Sequence, residues 1–114
     1  MRVLFICGRN RRRSPTAERL FDGVGGVEVR SAGVSPDAEE PLTADLVDWS
    51  ELVCVMEPTH RAKMNRMFGK ALRDKRVVNL GIRDDYEFMD AELVELLWQR
   101  VPRSVPGLGA AKPA

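Results

Sequence analysis

Two cysteines, one histidine and one tyrosine are all the chain holds of those types in 114 residues. Each scarcity removes a class of function. One histidine and two scattered thiols cannot assemble a metal centre of the usual kind, so neither metal nor other cofactor is expected. One cysteine stands before a run of arginines, and the other sits inside the apolar stretch Leu52-Val53-Cys54-Val55-Met56. That pair makes no disulfide scaffold and fits a reducing cytoplasm. No stretch approaches the ~18 consecutive apolar residues of a membrane-crossing helix. The apolar residues 3–6 are too few for a targeting region, so no membrane partner is expected. Aromatics make up 6% of the chain and the net charge is +1. The arginines therefore have few rings beside them on which bases would stack, which argues against a nucleic-acid partner. There are no internal repeats.

What is present describes one ordinary globular domain, with 44% hydrophobic and 31% charged residues. The near-zero net charge hides a blocky arrangement. Residues 1–30 carry seven arginines against three acids, and residues 31–60 carry seven acids with no lysine or arginine. Residues 61–83 reverse again, with eight basic residues opposed only by Asp74. Such blocks pair with one another as solvated faces; beside Cys7 they would also steer anions toward it.

Hydrophobic periodicity alternates between strand and helix. Residues 2–6, 27–31, 51–56 and 76–80 read as short buried strands. Residues 14–22 read as a helix, with Ser14 as its cap, Pro15 in the first turn and Gly25-Gly26 beyond its end. Thr43 caps a short helix ending near Trp49, and residues 58–68 form another, stopped by Gly69. Asp90 caps the last helix, with Val94, Leu97, Trp98 and Val101 on one face. Strands separated by helices predict an α/β single-domain three-layer sandwich: a four-stranded parallel sheet with helices on both faces. The domain is expected over residues 1–101, with the Pro-, Gly- and Ala-rich residues 102–114 as a frayed tail.

The first strand runs directly into Cys7-Gly8-Arg9-Asn10-Arg11-Arg12-Arg13-Ser14-Pro15. A cysteine and an arginine six positions apart, between a buried strand and a helix start, predict a phosphate-binding loop. Successive backbone N–H groups of Gly8, Arg9, Asn10, Arg11 and Arg12 can converge on one anion, and the helix N-terminus adds favourable partial charge. Arg13 can grip two phosphate oxygens through its planar fork. The Cys7 thiolate is then a nucleophile beside the phosphorus. Cys54, by contrast, reads as core. His60, at a helix start, reads as a surface residue.

At these residues the chain resembles the low-molecular-weight protein tyrosine phosphatases. Val3-Leu4-Phe5-Ile6-Cys7, Asn10 and Arg13-Ser14-Pro15-Thr16-Ala17-Glu18 carry the likeness. Ser31-Ala32-Gly33, Ala44-Asp45-Leu46, Leu52-Val53-Cys54-Val55-Met56 and Asp84-Asp85-Tyr86 follow in order. The likeness covers residues 2–101. It implies a metal-free, cytoplasmic hydrolase of phosphate monoesters, of the aryl phosphate or phosphotyrosine type, working through phosphocysteine. The substrate would be a phosphorylated small molecule or protein. By the same resemblance Cys7 is the nucleophile, Arg13 the phosphate clamp and Asp84 the general acid. Asn10 and Ser14 would hold the loop in shape, Ser14 easing departure of the thiolate. Tyr86, read from the residues alone, either flanks the substrate ring or packs on the domain surface.

The chain also departs from that pattern. Arg9 stands where the family usually has glycine, Arg12 where many members have a second cysteine, and Asp85 where proline is usual. Asp85 is thereby an alternative acid. The segment between Gly33 and Thr43 is short and lacks the stretch that supplies an aromatic wall. Two other readings remain on the same scaffold. One is a non-catalytic module that binds anions or phosphopeptides, favoured by Arg9 and the short segment. The other is a thiol-dependent arsenate reductase, which would need a resolving cysteine that only Cys54 offers.

Overall fold

The computed structural model describes residues 1–111. Four parallel strands form one sheet: β1 (Arg2–Cys7), β2 (Glu28–Gly33), β3 (Leu52–Val55) and β4 (Arg76–Asn79). Their order is β2-β1-β3-β4. Four helices connect and cover them: α1 (Arg13–Phe21), α2 (Ala44–Trp49), α3 (Pro58–Phe68) and α4 (Ala91–Arg100). The predicted three-layer α/β sandwich is the fold observed.

The alternation of side chains along β1 explains the layers. Val3, Phe5 and Cys7 face a core shared with Ala17 and Phe21 of α1 and Leu93, Leu97 and Trp98 of α4. Leu4 and Ile6 face the other core, with Val47 of α2 and Met64 of α3. A parallel strand covered on both faces must be apolar at every position, and so β1 and β3 carry no alternating polar residues. On the first face Phe21 stacks near Phe5 at 5.9 Å between ring centroids and meets Trp98 edge-on at 4.8 Å. These contacts anchor α1, whose first turn carries the loop that follows β1.

Two local expectations need correction. Residues 102–108 do not fray: the chain makes 3₁₀ turns over Val101–Arg103 and Pro106–Ala111. Val101, Val105 and Leu108 are buried in the first core. Their spacing continues the apolar face of α4, a signal that the prolines and glycines obscured. The part of that expectation on residues 112–114 lies outside the described residues. Nor does Ser14 cap α1, which starts at Arg13 with no side-chain cap. The Ser14 hydroxyl is engaged with Cys7 and Asn10 instead.

Candidate active site

From β1 the chain crosses to β2 on one side and later to β3 on the other. Sheets of this kind bind ligands where the order reverses, beyond the carboxyl ends of the strands. A cavity of about 520 Å³ opens there. It is lined by Cys7, Gly8, Arg9, Arg11, Arg12 and Arg13 after β1, and by Ser35 after β2. Glu57 and His60 reach it from the β3–α3 junction, and Asp84 from the loop after β4. All four strand ends thus contribute.

The loop keeps its shape through a small buried network. Asn10 takes a left-handed conformation, φ 56°, which a short polar side chain tolerates better than most. Its backbone N–H donates to Cys7 Sγ at 3.2 Å, and its Nδ2 donates to Ser14 Oγ at 2.9 Å. Ser14 Oγ lies 2.8 Å from Cys7 Sγ. Toward a thiolate, which only accepts, the hydroxyl is the donor. Asn10 and Ser14 therefore sit behind the loop and do not line the cavity.

The segment after β2 is strapped to the same loop. The N–H groups of Val34, Ser35 and Glu39 donate to the carbonyls of Cys7, Gly8 and Arg9 at 3.1, 2.9 and 3.1 Å. Gly33 makes the approach possible: a Cβ there would collide with the Gly8 carbonyl oxygen and press on Ala38 and the Asn10 nitrogen. The short segment is thus a direct support of the Cys7–Arg13 loop.

Arg13 is 4% exposed. Its Nη1 donates to Glu57 Oε2 at 2.8 Å and to the Ile82 carbonyl at 2.7 Å. The anchored Nη1 leaves the Nε–Nη2 edge of the fork for an anion, with Asp84 Oδ1 3.7 Å from Nε. Glu57 is in turn fixed by a reciprocal cap at the start of α3, where its backbone N–H donates to His60 Nδ1 at 3.2 Å. His60 is buried, contrary to the sequence expectation of a surface residue. Burial first, and the nearby Arg13 charge second, lower its pKa to about 4. Its neutral ring carries its proton on Nε2, because Nδ1 is the acceptor.

The lowered pKa has a consequence for stability. An unfolded chain protonates His60 near pH 6.5, whereas the folded chain resists until about 4. Stability is therefore intact above 6.5, falls as pH drops through that window, and the loss is complete below 4. Each tenfold change in proton affinity is worth about 1.4 kcal/mol, so the loss by pH 4.5 is roughly 2–3 kcal/mol. His60→Gln keeps an acceptor for the Glu57 N–H but cannot titrate. Denaturant unfolding at pH 7 and 4.5 should show wild type losing that much more than the variant. Equal losses would mean that His60 is not held neutral by the fold.

The remaining predicted residues divide. Arg9, Arg11 and Arg12 line the cavity with exposed side chains, each turned toward an acid: Asp37 at 3.6 Å, Glu39 at 3.6 Å and Glu87 at 3.7 Å. Arg9 thus fits in place of glycine by pointing outward. Asp85 pairs with Arg83 at 3.1 Å and is not among the lining residues. Tyr86 does not flank the cavity either: it packs, partly buried, against the first core. Its ring is drawn there by apolar burial that a loop sequence does not reveal. Cys54 lies mid-strand, opposite Phe5, and burial pushes its thiol up to about 12. It stays a thiol and offers Cys7 no reactive partner. Sequence reasoning missed Ser35, Glu57 and His60 as lining residues. The signal was available, since Ser35 and Glu57 each stand two residues past a strand end.

The family model for low molecular weight phosphotyrosine protein phosphatases matches residues 2–48. A protein-arginine-phosphatase of Bacillus subtilis (strain 168) is 33% identical over 102 residues, covering 66% of this chain and 67% of the relative. The chain belongs to the low molecular weight phosphotyrosine protein phosphatase family. It is a cysteine-dependent phosphatase, as its family is. The crystal structure of a YwlE mutant from Bacillus subtilis is similar at 28% identity and a TM-score of 0.70, covering 93% of this chain and 99% of that one. The tyrosine phosphatase Wzb from Escherichia coli K30, solved in complex with phosphate, shares the fold. It is 24% identical, with a TM-score of 0.75, covering 94% of this chain and 97% of that one. The family fold persists here, with the segment after Gly33 strapped to the loop. No helix among the described residues is long and apolar enough to cross a membrane.

Proposed function

We propose that this phosphatase hydrolyses phosphorylated protein side chains in the cytoplasm through a phosphocysteine formed on Cys7. The observation that carries the reading is the convergence of Cys7, Arg13 and Asp84 on one cavity, with the Cys7 sulfur already accepting an N–H from Asn10. In the first step the Cys7 thiolate attacks phosphorus in line with the leaving atom. The Arg13 fork and the loop N–H groups hold the equatorial oxygens as charge redistributes. The bond from phosphorus to the leaving atom breaks, and Asp84 gives that atom a proton. In the second step Asp84, now a carboxylate, takes a proton from water as the water attacks phosphorus. The S–P bond breaks, and inorganic phosphate and the thiolate are released. Ser14 donates to the sulfur as its charge returns.

For the phosphorylated residue we favour arginine over tyrosine. The arginine phosphatase relative supports this, and so does the cavity. Its lining includes two acidic side chains, Glu57 and Asp84, and no phenylalanine, tyrosine or tryptophan among the described residues. A guanidino leaving group is strongly polar and suits acidic neighbours, Glu57 as carboxylate and Asp84 as proton donor, whereas a phenol ring wants an apolar wall. The test compares kcat/KM for one peptide carrying phosphoarginine or phosphotyrosine, beside a small aryl phosphate. Preference for phosphoarginine by about tenfold or more is expected, with modest turnover of the aryl phosphate. Faster turnover of the phosphotyrosine peptide would reverse the assignment.

A further inference from the structure

The side chains of the three arginines between Cys7 and Arg13 take no part in the two steps above. Arg9, Arg11 and Arg12 nevertheless all line the cavity. Each is about half exposed or more, and each approaches its acid through Nε at 3.6–3.7 Å, beyond hydrogen-bond distance. Exposed pairs of this kind contribute about 0–1 kcal/mol. The acids are better fixed than the pairing. Asp37 and Glu39 lie on the strap that donates three backbone hydrogen bonds to the loop, and Glu87 lies on the loop that carries Asp84. The mouth of the site is thus a ring of three positive forks, each loosely covered by a carboxylate of the chain itself.

Resting on the phosphatase reading, we propose that this ring recognises carboxylates flanking the phosphorylated residue, so that the preferred substrate is an acidic segment of a phosphorylated protein. Asp37, Glu39 and Glu87 act as built-in competitors that the substrate's acids displace. The exchange replaces one carboxylate by another, so little desolvation cost is added, and the substrate gains bidentate geometry that the present contacts lack. Phosphate binding at Arg13 supplies the anchoring that makes the second contact effectively intramolecular. Neutral flanks leave the native pairs in place and gain nothing.

The experiment uses the full chain with phosphoarginine and phosphotyrosine peptides, each made with aspartate and glutamate or with serine and alanine around the modified residue. The acidic version should have about tenfold higher kcat/KM at low salt, mostly through KM, and the advantage should shrink as salt rises. Arg9→Gln/Arg11→Gln should bring the ratio of acidic to neutral peptide close to one. Asp37→Asn/Glu39→Gln should raise the ratio further, because the competitors are gone. The same ratio is read as Kd on the Cys7→Ser chain, so it does not depend on turnover. Equal Kd for the two versions, or a ratio unmoved by Arg9→Gln/Arg11→Gln, overturns the ring. Selective binding without turnover of any peptide or aryl phosphate by wild type overturns the catalytic reading and supports the ring.

Discussion

Cys7→Ser is expected to reduce hydrolysis of a small aryl phosphate by roughly 10⁴-fold or more, as losing the nucleophile does elsewhere, while inorganic phosphate or vanadate still binds. The sulfur sits at the end of β1, within reach of the Asn10 N–H at 3.2 Å and the Ser14 hydroxyl at 2.8 Å. A serine hydroxyl at the same place is a neutral, weak nucleophile, and no histidine reaches it to take the proton: the chain's one histidine has its acceptor nitrogen committed to Glu57. The phosphate cradle of backbone N–H groups and Arg13 is unchanged by the substitution, so binding persists. EDTA should leave wild-type turnover unaltered, because Arg13 and the loop dipoles already supply the positive charge the transferring group needs. Retained turnover in the serine chain would remove Cys7 from the reaction. Inhibition by chelator would mean that the loop does not neutralise the phosphate unaided.

How much of this was legible in the sequence depended on whether a signal was local. The strands could be read because burial on both faces makes residues 3–6 and 52–55 apolar without interruption. The Cys7–Arg13 loop could be read because its chemistry lies in one short continuous stretch. Arg13's anchors could not, since Glu57 and the Ile82 carbonyl are brought to it only by the strand order. His60 misled for a related reason. A histidine three residues into a helix looks solvated until its partner, the N–H of Glu57, and the adjoining cavity wall are in place. Tyr86 stands two residues past Asp84 in sequence, but neighbours in an irregular loop diverge, and its ring found the core. The packed residues Val105 and Leu108 were hidden for the opposite reason: proline and glycine suggested disorder where two apolar side chains decided the outcome.

Arg13→Lys is expected to lower kcat/KM by roughly 10³-fold, in the range of losses seen for arginines that stabilise a transferring phosphoryl group, whereas Arg12→Lys should cost no more than a few-fold. Both substitutions keep the charge, so the difference isolates geometry. The buried Arg13 guanidinium performs two tasks at once. Nη1 is committed to Glu57 and the Ile82 carbonyl, while Nε and Nη2 remain for an anion in the cavity that Arg13 lines. A lysine ammonium is a single point with three donors and cannot hold those anchors and two phosphate oxygens together. If it stays with Glu57 the phosphate loses its clamp; if it turns to the phosphate, Glu57 is left as an unpaired carboxylate beside the incoming anion. Arg12 is about half exposed and reaches only Glu87, so its replacement disturbs no such arrangement. Thermal unfolding of both variants would separate misfolding from lost catalysis, and phosphate should bind the folded Arg13→Lys chain more weakly. Equal losses from the two substitutions would show that the site works through diffuse positive potential and needs no positioned fork at residue 13.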